Sequence, residues 1–132
     1  MYTQVVNSLK ANGIKVTSQR VNILTAIENR GHANIDEIYH DTKTTNPAIS
    51  LATVYKNVTS LLEHSLIKEL SLNNQKTKYE LNKEPHSHLI CKVCGDVEDY
   101  NSSNIMNLKS EILSFNIEEI EINIYGKCSN CK

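Results

Sequence analysis

The sequence predicts an α+β chain of two small domains, a winged helix over residues 1–81 and an α/β unit over residues 82–132. Three observations carry this reading. Four stretches of helical periodicity fill the first half and are followed by two short alternating segments. A polar run containing Pro85, LNKEPHSH (81–88), then breaks the pattern. All four cysteines lie beyond that break, in two C-x-x-C pairs.

The elements follow in order. Val5, Val6 and Leu9 fit a short first helix that stops at Gly13. Thr17 or Ser18 can cap a second helix with Val21, Leu24 and Ile27 on its apolar stripe, ending near Gly31. Asn34-x-x-Glu37 has the form of a capping box and opens a third helix holding Ile38 and Tyr39. Pro47 punctuates, and Ser50 caps SLATVYKNVTSLLEH, whose Leu51, Val54, Val58, Leu61 and Leu62 form one buried stripe. LIKELSL (66–72) alternates like a strand, NNQK (73–76) is turn-like, and TKYEL (77–81) returns as a second strand. Helices followed by a β-hairpin make a winged helix, with residues 50–64 as recognition helix and the hairpin as wing. Beyond the break, strands are expected at His88–Cys91 and Val97–Tyr100. A helix with Ile105, Leu108, Ile112 and Leu113 inside comes next, then a strand in EIEINIY (119–125) with Ile120, Ile122 and Ile124 on one face. That last strand offers an edge for pairing with a second copy.

Bulk properties narrow the class. The chain has 132 residues, 39% of them hydrophobic, with no Trp and one Phe, so its core rests on Ile, Leu and Val. Halves this small usually need a metal or a partner subunit to reinforce the core. No apolar run reaches the roughly 18 residues of a membrane span, and MYTQVVNSLK lacks the pattern of a secretory signal. The cytoplasm is the expected compartment. Net charge is −1, but residues 1–80 carry nine Lys/Arg against seven Asp/Glu, and residues 81–132 carry five against eight. The exposed face of the fourth helix is distinctive. Ala52, Thr53, Lys56, Asn57, Thr59 and Ser60 are small or polar, with no acid before Glu63. Such a face suits a DNA major groove, where carboxylates would meet phosphates; an ordinary amphipathic helix is the plainer alternative.

The cysteines fall as Cys91/Cys94 and Cys128/Cys131, with 33 residues between the pairs. Four thiolates on two tight turns complete a tetrahedral zinc shell with no open position, which makes the site structural. A dithiol redox centre is the rival, but neither pair opens a helix after a strand, the setting that activates such a cysteine. His86-x-His88 is a separate matter. In extended chain both imidazoles face one side, outside the closed shell, and Glu80 and Asp99 are the candidate carboxylates to join them. Two surface histidines in a polar loop remain the simpler alternative. His40 and His64 read as surface histidines on helices.

VTSQR (16–20), GHANIDEIY (31–39), ISLATVYKNV (49–58), HSHLICKVCG (86–95) and YGKCSNC (125–131) together resemble the ferric uptake regulator family over essentially the whole chain. The resemblance implies a metal-dependent transcriptional repressor, not an enzyme. It implies a homodimer on a palindromic double-stranded DNA operator, with no membrane and no small organic substrate. Residues 1–81 would bind DNA, and residues 82–132 would dimerise and hold the structural Zn(2+), one per chain. A regulatory Fe(2+) or Mn(2+) would be held by His32, Glu80, His86, His88 and Asp99; spacing alone does not point to His32. The DNA contacts implied are Lys15 and Arg20 on phosphates and Thr53, Tyr55, Lys56 and Asn57 in the groove. TVYKN looks like the peroxide-responsive branch, in which a ligating histidine is oxidised; the matching positions are His32 and His86. Pro85 and Ser87 stand where many iron-responsive members supply further ligands, and no histidine precedes IYGKC. Glu80 departs the other way, because the peroxide branch usually has Asp there, so an iron-responsive repressor is the runner-up. A zinc-ribbon interaction module and a dithiol oxidoreductase are the readings from other classes.

Overall fold

The computed structural model describes residues 2–71, 75–82, 86–101 and 111–132. It divides into two compact units, Met1–Asn82 and Lys83–Lys132.

In the first unit, α1 (Tyr2–Ala11), α2 (Ser18–Arg30), α3 (Ile35–Thr45) and α4 (Leu51–Glu63) surround an aliphatic core. Each start is written locally. Thr17 accepts from the Arg20 amide, and Ser50 accepts from the Thr53 amide. Asn34 and Glu37 form a reciprocal capping box, with Asn34 N–Glu37 Oε1 at 3.0 Å and Glu37 N–Asn34 Oδ1 at 2.8 Å. The stop of α1 is a Schellman turn. Ile14 N–H reaches Leu9 O, Gly13 N–H reaches Lys10 O, and Gly13 takes φ +70°. The end of α4 repeats it with Leu66 N–H on Leu61 O and Ser65 N–H on Leu62 O. There the left-handed position is Ser65, at φ +58°.

Val21, Ile23, Leu24, Ala26 and Ile27 make α2 buried on two sides, so it packs against α1, α3, α4 and strand β3 (Lys78–Leu81). Leu9, Ile23, Ile27, Ile38 and Leu61 are fully buried. At about 1.5–3 kcal/mol each, side chains of this kind dominate the stability of the unit. Val54, Val58 and Leu61 of the predicted α4 stripe are buried and Leu62 packs on the core, but Leu51 is 40% exposed. It opens the helix, a turn before the stripe meets the core. Strands β1 (Ala33–Asn34), β2 (Ile67–Leu70) and β3 form an antiparallel sheet in the order β1-β3-β2. The wing is therefore a hairpin with a short third strand added, shorter on each arm than its alternating pattern; residues 73–74 of its turn lie outside the described residues.

The second unit is a three-stranded sheet of β4 (Ser87–Cys91), β5 (Val97–Tyr100) and β6 (Asn123–Gly126), in the order β5-β4-β6. β4 is antiparallel to β5 and parallel to β6. The expected strand over 119–125 begins only at Asn123. Ile120 and Ile122 are half-buried and Ile124 is 48% exposed, so their shared face is not a packed one within a single chain. The predicted helix through Ile105 and Leu108 lies outside the described residues. Ile112 and Leu113, also assigned to its inner face, are exposed. Pro85, at the expected domain boundary, is likewise outside the described residues. Among the described residues of this unit, the buried apolar side chains are Ile90 and Cys91. Units this small are commonly reinforced by disulfides, a metal or a partner subunit.

Candidate metal centres and DNA-facing surface

Strand register assembles the cysteines. Cys91 ends β4 opposite Gly126 of β6, and Lys92 N–H donates to Gly126 O at 2.7 Å. Two residues past Gly126, Cys128 therefore arrives beside Cys91, and its amide points at the Cys91 sulfur, 3.4 Å away. Gly95 takes φ +82° to close the first turn, with its amide on Cys91 O. Cys131 N–H on Cys128 O closes the second. All four Sγ atoms lie within 4.8 Å of one another. Cys94 Sγ and Cys128 Sγ are 3.8 Å apart. With zinc–sulfur bonds of about 2.3 Å, the edge of a tetrahedron is about 3.8 Å, so the Cys94–Cys128 pair is spaced as zinc requires and the other sulfurs lie near enough to join it. The amides of Cys94 and Cys128 pull the Cys91 thiol down to about 6. Hydrogen bonding to Cys128, with burial, pushes Cys131 up to about 12. Without a cation the cluster cannot carry four negative charges; with one it can.

Nitrogen and oxygen donors gather in each unit. In the first, β1 pairs with β3 as Ala33↔Tyr79, so the residues next along, His32 and Glu80, face each other. His32 Nε2 lies 3.0 Å from Glu80 Oε2, with side chains 7% and 2% exposed. In the second, His88 on β4 is in register with Asp99 on β5, and His86 enters on the same side. Their imidazoles meet edge to face with centroids 4.5 Å apart. His86 Nε2 is 3.2 Å and His88 Nε2 3.7 Å from Asp99 Oδ1, and both histidines are buried. This is no solvated loop. His40 and His64 are on the surface, His64 as the C-cap of α4 with Nδ1 2.8 Å from Ser60 O.

On α4, Tyr55 (52% exposed) and Lys56 are open to solvent. Thr53 Oγ1 shares a hydrogen bond with Ser50 Oγ at 2.9 Å, and Asn57 Nδ2 donates to Thr53 O at 2.9 Å. Lys15 is exposed in the loop before α2. Arg20 is half-buried and donates through Nη1 to the Lys15 carbonyl at 2.7 Å, so part of its guanidinium shapes that loop. Sequence reasoning missed two ion-pair groups. Arg30 joins Glu37 and Asp41 across α2 and α3, and Lys76 of the wing reaches Asp36 in the first turn of α3. The second spans 40 positions, and no local pattern announces it.

A winged helix joined to a small sheet carrying a four-cysteine cluster and buried histidine–carboxylate groups is the architecture of a metal-responsive transcriptional regulator. The profile of the Ferric uptake regulator family matches residues 11–125, and the chain belongs to that family. It is 30% identical over 131 residues to the peroxide-responsive repressor PerR of Staphylococcus saprophyticus, covering 96% of this chain and 88% of that one. Among solved structures, the Campylobacter jejuni peroxide stress regulator superposes with TM-score 0.77 at 34% identity, covering 96% and 98% of the two chains. The ferric uptake regulator of Francisella tularensis, solved with iron, superposes with TM-score 0.76 at 32% identity, covering 90% and 95%. Family membership sets aside the oxidoreductase and zinc-ribbon readings: the protein is a metal-dependent transcriptional regulator, not an enzyme.

Proposed function

We propose that the chain is a repressor that binds a palindromic operator as a homodimer and lets go when peroxide is present. The observation that supports this most is the pair of buried donor groups, His32–Glu80 and His86–His88–Asp99. In this reading they are the two halves of one regulatory site. Imidazoles with carboxylates suit Fe(II) or Mn(II), with selection left to availability. The four cysteines hold a structural zinc. With ligands drawn from both units, the shared site is complete only in a closed arrangement, so binding favours closure by its differential affinity for it. In a dimer, closure sets the separation of the two α4 helices, which must match half-sites about one helical turn or a multiple apart. Metal and operator then strengthen each other's binding by the same factor.

At the DNA, Tyr55 and Lys56 reach base edges while Thr53 and Asn57 keep the start of α4 in shape. Lys15 and the unspent donors of Arg20 meet phosphates. In this reading the protein works in the cytoplasm, where the DNA is and where thiols stay reduced; no described helix is long and apolar enough to cross a membrane. When bound, Fe(II) supplies a reactivity toward peroxide that Mn(II) largely lacks. His32 and His86 are the imidazoles positioned to be oxidised, which removes a ligand and reopens the site. The peroxide-responsive relatives favour this reading. A second reading, iron sensing without peroxide chemistry, is favoured by Glu80, whose longer carboxylate replaces the usual Asp of the peroxide branch.

The test is anaerobic binding to a duplex selected by the protein from a randomised pool, with Fe(II) or with Mn(II), before and after peroxide. Peroxide sensing requires that the Fe(II) form lose the duplex and the Mn(II) form keep it. Retention by both forms, with binding still dependent on Fe(II), would establish the iron-sensing reading instead.

A further inference from the structure

The first unit carries a surface group that the metal sites and the recognition helix leave unexplained. Lys76 stands on the wing just before β3, and its Nζ contacts Asp36 Oδ2 in the first turn of α3. Both side chains are open to solvent, at 70% and 60%. Tyr55 of α4 belongs to the same patch: Asp36 first, and more weakly the Tyr55 phenol, raise the Lys76 pKa. Tyr79 of β3, opposite Glu69 of β2, is raised by burial and then by Glu69 and Tyr55. Wing, recognition helix and the start of α3 thus come close together, and Lys76 and Asp36 both face water there.

We propose that Lys76 is a further DNA-backbone contact, delivered by the wing, and that Asp36 competes with phosphate for it. This rests on the DNA-binding reading above. An exposed ion pair contributes little to folding, so the pairing is weak enough to be exchanged. A lysine beside a helix seated in the groove meets phosphates of the same groove edge, and each phosphate neutralised releases counterions. Asp36 would then lower the protein's grip on DNA of any sequence and leave specificity to α4. Asp36 is no part of the helix cap, which Asn34 and Glu37 supply, so D36N keeps the fold.

The rival account makes the pair a clasp that holds the wing in place. The two accounts predict opposite signs. In the Mn(II)-loaded full-length protein, the proposal expects D36N to tighten binding to the selected duplex and to an unrelated duplex alike, about two- to tenfold. It expects K76A to weaken both and to lower the slope of log K against log salt by about 0.9 per contact, hence about two per dimer. D36N/K76A should match K76A. A clasp makes D36N, K76A and the double variant weaken binding equally, and that result would overturn the proposal; so would a K76A salt slope equal to the parent's. Parent protein that binds neither duplex in a salt-dependent way would sink the DNA-binding reading itself, a distinct failure. Thermal melting of each variant separates lost folding from lost contact.

Discussion

Arg30 donates through Nε at 2.6 Å and Nη2 at 2.9 Å to the two oxygens of Asp41, and through Nη1 at 2.9 Å to Glu37. A planar fork on a carboxylate is the geometry in which a partly exposed ion pair adds measurable stability. The hydrogen bond from Arg30 holds the Asp41 carboxyl below its ordinary 3.8. A depressed carboxylate contributes stability above its unfolded pKa and loses it as pH falls through the folded value. Asp41→Asn should therefore cost about 0.5–1 kcal/mol at neutral pH, read by urea denaturation, and the gap to the parent should close below about pH 4. A gap that is unchanged in acid would assign the loss to packing rather than charge. At the four-cysteine cluster the scale of effect is larger. Removing one thiolate opens a closed shell, so Cys128→Ser should lose its zinc and the order of the second unit. Full zinc occupancy in a folded Cys128→Ser protein would mean the site is not structural.

Helix starts were legible because each is decided within four residues. Asn34 with Glu37 and Ser50 cap as their spacing predicts, and of the two candidates Thr17 and Ser18 it is Thr17 that caps α2. The end of α4 is different, since nothing in EHSLI marks Ser65 as the left-handed residue. Left-handed backbone costs a non-glycine residue roughly 1–2 kcal/mol, and the position is held by Asn82 Nδ2 on the Ser65 carbonyl at 2.7 Å. That bond uses only backbone at Ser65. Ser65→Gly should thus stabilise the fold by about 0.5–1 kcal/mol, read as a higher urea midpoint at constant m-value. A lowered midpoint would show that the hydroxyl matters more than the backbone angle. What stayed illegible depends on register. His32 and Glu80 lie 48 positions apart and meet because a two-residue strand pairs with β3. Alternation over 119–125 marks a face but not whether anything covers it, so it overstates a strand that begins at Asn123. The same holds for Leu51 in the α4 stripe.

On the scale of the whole molecule, one small chain holds two kinds of site, and HSHLICKVCG contributes to both. β4 ends in the cysteine that anchors the sulfur cluster, and it presents His88 three residues earlier to the Asp99 side. In the proposed reading this separates fold from signal: the four thiolates would staple the second unit, and the nitrogen–oxygen donors would be left for a metal that comes and goes. As a peroxide sensor, the protein would be oxidised on imidazoles of that second set. Peptide mass spectrometry after a brief peroxide dose tests it most directly, on protein loaded with Fe(II) and in parallel with Mn(II). The expected result is one added oxygen at His32 or His86 in the Fe(II) sample only, in step with loss of DNA binding, while His40 and His64 stay unmodified. Oxygen spread over Met1, Met106 and every histidine, or no histidine oxidation in a protein whose DNA binding still follows Fe(II), would contradict it.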